Sequence, residues 1–74
     1  MSKLEQRITR ITLAPVGEPI FSKCAYTVEI DDEASGEFVV VRANTDDGAS
    51  VAIDLSDWPA LRETIDRMVG ECRV

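Results

Sequence analysis

The chain contains no histidine and only two cysteines, Cys24 and Cys72, far apart in sequence. Without imidazole, general-base catalysis at neutral pH falls to a carboxylate. A zinc site would need two further soft or imidazole ligands, which this chain cannot supply. In a reducing compartment a disulfide between the two thiols is not expected. Both cysteines read as small buried hydrophobes, the usual fate of a free cysteine, with a reactive thiol at Cys72 as the alternative. Basic residues are also scarce, eight against fourteen acidic ones, for a net charge of -6. That balance repels polyanions and counts against a phosphate-binding face. No glycine-rich phosphate loop is present, no apolar run is long enough to span a membrane, and the stretch from Met1 to Arg7 lacks the hydrophobic core of a secretory signal. The expected compartment is the cytoplasm. The sequence predicts no catalytic residue, no metal site and no cofactor; the chain is not expected to be an enzyme.

With 74 residues the chain forms one domain, 1–74, of which the polar residues 1–6 are expected to be mobile. A domain of this size buries only about 60% of its unfolded surface, and association through leftover apolar surface is a common remedy.

Arg7 to Leu13, rich in isoleucine and threonine, reads as a first strand; Ile8 is out of phase with Ile11 and Leu13, which predicts a bulge or an edge position. Pro15, Gly17 and Pro19 then break regular structure. The second strand shows the clearest alternation, with Cys24, Tyr26, Val28 and Ile30 on one face and Ala25, Thr27, Glu29 and Asp31 on the other. A turn over residues 31–36 follows, with Gly36 at positive φ. Its acidic cluster, Asp31, Asp32 and Glu33, lacks the alternate-ligand spacing of a calcium loop and reads as a solvated hairpin tip. Strand three, Glu37 to Ala43, is apolar on both faces through Phe38, Val39, Val40 and Val41 and is therefore central or covered on its second face by something else. A second turn over 44–48 leads to strand four, with Val51, Ile53 and Leu55 on one face.

Ser56 or Asp57 is the expected cap of a C-terminal helix, with Pro59 in its harmless first turn. Glu63 and Arg67 are placed for an i, i+4 pair. Trp58, Leu61, Ile65, Met68 and Cys72 are spaced 3, 4, 3 and 4 apart and form one apolar stripe; Trp58 reads as a core anchor, not a base-stacking platform. The predicted fold is α+β: a four-stranded antiparallel meander with one C-terminal helix packed on one face of the sheet. Val28, Ile30, Val51, Ile53 and Leu55 would meet the helix there. One helix cannot cover both faces of strand three, so the expected interaction surface lies among Phe38, Val39, Val40 and Val41, with Val39 and Val41 or else Phe38 and Val40 left partly uncovered. A homodimer is the expected assembly. Arg7, Arg10, Lys23 and Arg42 form the candidate nucleic-acid strip, should they converge.

Two resemblances add to this reading. Ile53-Asp54-Leu55-Ser56-Asp57-Trp58 followed by Leu61 and Ile65 resembles the strand-to-helix junction of the positive-cofactor-4-like family, single-stranded-DNA-binding coactivators with four strands and a helix that pair as homodimers. The resemblance implies a topology, a dimer and, as an alternative function, single-stranded nucleic-acid binding. It covers about a quarter of the chain, and the loop that is basic in that family here reads Asn44-Thr45-Asp46-Asp47-Gly48. More of the chain is similar to small uncharacterised proteins of bacteriophages and prophages: Glu18 to Ser22, Thr27 to Ala34, Gly36 to Val41 and Trp58 to Arg62. That resemblance implies an accessory protein of the bacterial cytoplasm with a phage or host protein as partner, and no activity.

Overall fold

The computed structural model of the chain describes residues 3–34 and 36–73. Four strands form one antiparallel sheet in the order β1-β2-β3-β4, with β1 at Arg10–Leu13, β2 at Tyr26–Glu33, β3 at Gly36–Ala43 and β4 at Ser50–Ile53. A single 3-10 turn, Leu55–Asp57, runs directly into α1 at Trp58–Glu71. The chain is thus an α+β meander followed by one C-terminal helix.

β1 is an edge strand, as its broken alternation predicts, but its register against β2 is regular, from Arg10 opposite Glu29 to Leu13 opposite Tyr26. It is shorter than expected: of residues 7–9, only Thr9 extends the pairing, accepting a hydrogen bond from the Ile30 N–H at 2.8 Å. The expectation of a mobile segment over 1–6 falls in part outside the described residues.

The loop from Ala14 to Ala25 consists of successive turns: the Glu18 N–H donates to Pro15, that of Ser22 to Pro19 and that of Ala25 to Ser22, each at 3.0 Å. Gly17 sits in the first of these with φ 83°. Asn44 ties the loop to the β3–β4 turn, donating its backbone N–H to Ala25 and its side-chain amide to the Ser22 carbonyl.

The β2–β3 hairpin is tighter than the expected 31–36 turn. Glu33 pairs with Gly36, so Asp31, Asp32 and Glu33 are strand residues and not tip residues. The two-residue connection needs left-handed backbone beside it, and Gly36 supplies it with φ 119°. Gly48 does the same in the next turn with φ 61°.

Paired residues of an antiparallel sheet share a face, so the register sorts the side chains. Ile11, Leu13, Tyr26, Val28, Ile30, Val39, Val41, Val51 and Ile53 lie on one face, here the aliphatic face. Arg10, Thr12, Thr27, Glu29, Phe38, Val40, Arg42 and Ala52 lie on the other, the mixed face. Among the described residues only Ala25, Thr27, Val40 and Ile53 are buried.

The seating of the helix differs from the expectation. α1 makes no extensive contact with any strand; its contacts concentrate on the 3-10 turn that leads into it, and none of its residues is buried. The junction differs from the expectation as well. Strand β4 stops at Ile53, two residues early, and Leu55 begins the 3-10 turn. Asp54 caps the 3-10 turn, its carboxylate accepting the Ser56 N–H at 2.9 Å and the Ser56 hydroxyl at 2.8 Å; the N-cap position of α1 itself is Asp57, one of the two residues expected. Asp57 makes no side-chain capping bond. The backbone is extended at Asp54 (φ -71°, ψ 141°) and helical at Asp57 (φ -87°, ψ -17°) and Trp58 (φ -59°, ψ -45°). Gly70 does not end it; the Cys72 N–H still bonds the carbonyls of Met68 and Val69. The radius of gyration is 15.4 Å, against about 11 Å for a compact 74-residue domain.

Candidate functional site

The residues expected to form an interaction surface fall on opposite sides of the sheet. Val39 and Val41 share the aliphatic face with Val28, Ile30, Val51 and Ile53, while Phe38 and Val40 lie on the mixed face. Val40 is 6% exposed and cannot contact a partner; Phe38 is half-buried. The four are divided between the two faces, Val39 and Val41 on one and Phe38 and Val40 on the other, as alternation along a strand requires.

The uncovered surface is larger and lies elsewhere. On the aliphatic face Ile11, Leu13, Tyr26 and Val51 are each more than half exposed. Along α1 the stripe is open too: Leu61 is 39%, Ile65 49% and Met68 59% exposed. Trp58 joins the two. It stands over the sheet in an apolar groove of about 280 Å³ whose other lining residues are Val28, Val39, Val41, Ile53 and Leu55. At 100° per residue, Trp58, Leu61, Ile65, Met68 and Val69 fall within about a quarter to a third of the helix circumference. Helix stripe and sheet face thus form one connected apolar surface that nothing in the described chain covers. The sequence signal for it was present in the period-2 and period-3.6 patterns, but those patterns do not say whether the two surfaces meet within one chain. Scattered exposed hydrophobics are ordinary, whereas a contiguous patch marks an interface.

The candidate basic strip does not assemble. Arg7 forms a two-pronged pair with Glu37, at 2.8 and 3.1 Å. This pair holds the Glu37 carboxyl below the usual range, first by its hydrogen bonds and then by charge, and raises the Arg7 guanidinium. Arg42 donates to Glu29 at 2.6 Å on the mixed face, and Lys23, in the loop before β2, pairs with Asp46 at 3.0 Å. Arg10 lies on the mixed face opposite Glu29. Three of the four cations are thus matched by carboxylates, and they are distributed over both faces and a loop.

The remaining polar features serve local backbone structure. Asp47 accepts from the Thr45 hydroxyl and from the Ala49 N–H, and these bonds lower its carboxyl pKa. Asp54 is lowered by the Ser56 N–H and then by the Ser56 hydroxyl. Asp54 and Asp57, with Glu33 and Glu37, line a wide, open groove of about 650 Å³ where β4 passes into the helix. Cys24 and Cys72 are both exposed, not buried. Cys24 lies in the loop outside β2, and Cys72 lies on a stripe that this chain leaves bare. Among the described residues no group of three or more His, Cys, Asp or Glu side chains is arranged to hold a metal ion, and no helix is long and apolar enough to cross a membrane. No protein-family model, curated protein or solved structure matches the chain.

Proposed function

We propose that this chain is a non-enzymatic protein-interaction module that works as a homodimer. The observation that carries the reading is the connected apolar surface of the aliphatic face, Trp58 and the α1 stripe, exposed in a chain whose buried core amounts to Ala25, Val40 and Ile53 with Thr27. A core that small is marginal for an independent domain, and a second copy is the most direct way to extend it. The similarity to small phage and prophage proteins supports an accessory role in which the dimer meets a further phage or host protein. Light scattering at micromolar concentration is expected to give twice the 8.2 kDa mass of the chain. A monomer across the accessible concentration range overturns the reading.

Single-stranded nucleic-acid binding gains no support from the geometry, because Arg7, Arg42 and Lys23 are already paired with carboxylates. Binding of labelled single-stranded DNA at low ionic strength, weakening steeply with salt and lost in both Arg10→Glu and Arg42→Glu, is the result that would reinstate it.

A further inference from the structure

We infer that the second copy is seated reciprocally: α1 of each protomer lies across the aliphatic face of the other's sheet. The inference rests on the self-association proposed above and specifies how the two chains meet.

The position of α1 supplies the first argument. A helix that continued the meander in the usual way would fold back onto its own sheet, and the apolar periods of sheet and helix suit that contact. In this chain α1 instead makes no extensive contact with any strand, and beyond Trp58 its stripe stays open at Leu61, Ile65 and Met68. Both halves of a matched contact are present in one chain, and beyond Trp58 they are not brought together within it. The complementary surface that a single protomer cannot reach is available on an identical neighbour, and a two-fold axis satisfies both contacts at once.

The area supplies the second. The chain exposes 6863 Å², whereas a compact protein of its mass exposes about 4,500 Å². The excess is about 2,300 Å² per protomer, and two protomers together fall within the roughly 2,000–5,000 Å² buried by obligate homodimers. Pairing the helices alone would cover only the α1 stripe and leave Ile11, Leu13, Tyr26 and Val51 bare on the sheet. Reciprocal seating draws on both surfaces; part of the excess lies on the N-terminal segment and the loop before β2, where Leu4, Ile8, Val16, Ile20 and Phe21 are exposed. Trp58, which lines one groove with Val28, Val41 and Leu55, is then the pivot where one protomer's sheet contact passes to its partner's.

The test is a methyl NOE experiment on the full chain. One preparation carries ¹³C only at isoleucine δ1 methyls and the other only at valine methyls; the two are mixed and allowed to exchange. Cross-peaks from Ile65 to Val28, Val41 or Val51 in the mixture are expected, because the labels then reside on different chains. A dimer whose Ile65 methyl shows inter-chain contacts only to helix residues, or to neither surface, overturns the reciprocal seating and leaves the homodimer standing. Ile65-to-valine cross-peaks confined to a uniformly labelled sample, together with a monomer mass, overturn both this inference and the homodimer.

Discussion

Strand β3 and helix α1 are the two most informative apolar segments of the molecule, and they have opposite fates. β3 is central: β2 and β4 flank it, and every residue from Gly36 to Ala43 has a partner in the β2 register. Its Val40 is buried although its neighbours Glu29 and Ala52 are not apolar anchors of any size. α1 carries larger apolar side chains than β3 does, at better-kept spacing, and buries none of them. Burial in this chain follows position in a hydrogen-bonded array more than hydrophobicity. A strand is held against its neighbours by its own backbone, so its side chains are brought together with theirs. A helix satisfies its backbone internally and needs a second surface to be delivered to it. The sheet is accordingly held together within one chain, while in the proposed dimer the helix draws its stabilisation from the partner.

The largest expected effect tests that division. Ile65→Asp places a charge on the surface assigned to the partner and is expected to weaken dimerisation by more than about 100-fold, as loss of an interface hot spot does, measured by sedimentation equilibrium. In the same series Leu61→Ala or Ile65→Ala is expected to cost about 2–5 kcal/mol, the range for core truncations, when the protein is concentrated enough to be dimeric. Near the dissociation midpoint the thermal stability of these variants is expected to depend on concentration. A loss of under about 0.5 kcal/mol at every concentration, the range of ordinary surface changes, would show that the stripe faces solvent in the assembly as well.

Val40→Ala addresses the other half of the comparison. It removes two buried carbons and is expected to cost about 2 kcal/mol, from roughly 0.8 kcal/mol per carbon plus the cavity left behind, by urea unfolding. Its free-energy cost is expected to be the same in dilute and concentrated samples, in contrast to the helix variants.

Gly36→Ala is smaller. A Cβ at this position meets nothing within 4 Å, so the cost is that of the left-handed backbone alone, about 1 kcal/mol. A neutral result would show that the β2–β3 connection relaxes to another turn.

The smallest effect is the response to acid. Glu37, Asp47 and Asp54 all have carboxyl pKa values lowered in the folded chain. A depressed folded-state pKa contributes stability that is fully present above the unfolded-state value, about 4, and is lost as the pH falls through the lower folded-state value. Thermal stability is therefore expected to be flat from neutral pH down to about 5 with respect to these groups and to decline below about 4. Asp54→Asn, which keeps an acceptor for the Ser56 N–H, is expected to reduce that decline, followed by circular dichroism melts. All three carboxylates are exposed, so solvent screening keeps the change modest.

Local patterning in the sequence accounts for much of what is observed. The alternation through Tyr26, Val28 and Ile30, the glycines at 36 and 48, and Pro59 beside Trp58 correspond to β2, two turns and a helix start, because each depends on a residue's own conformational preferences or on neighbours a few positions away. The two-sided apolarity of Phe38 to Val41 marks the central strand for the same reason. The cap was legible only in part: Asp57 is the N-cap position of α1, but the side-chain capping bonds are made by Asp54 at the 3-10 turn, which depends on where β4 releases the backbone. The cysteines were misread as buried, and the sequence left open whether the basic residues converge, because both concern neighbours from distant parts of the chain. Ion pairs such as Arg7 with Glu37, thirty positions apart, cannot be read from spacing.

The amino-acid sequence by itself determined which segments are strands and helix, which side of each is apolar, and that one helix is too little cover for this sheet. Only the tertiary structure decided that, beyond Trp58, the helix makes no extensive contact with its own sheet. Asp54 caps the 3-10 turn through two hydrogen bonds, and helical backbone runs on through Asp57 and Trp58. An apolar period specifies that a surface must be buried, but the partner that buries it is set by where the rest of the chain points that surface.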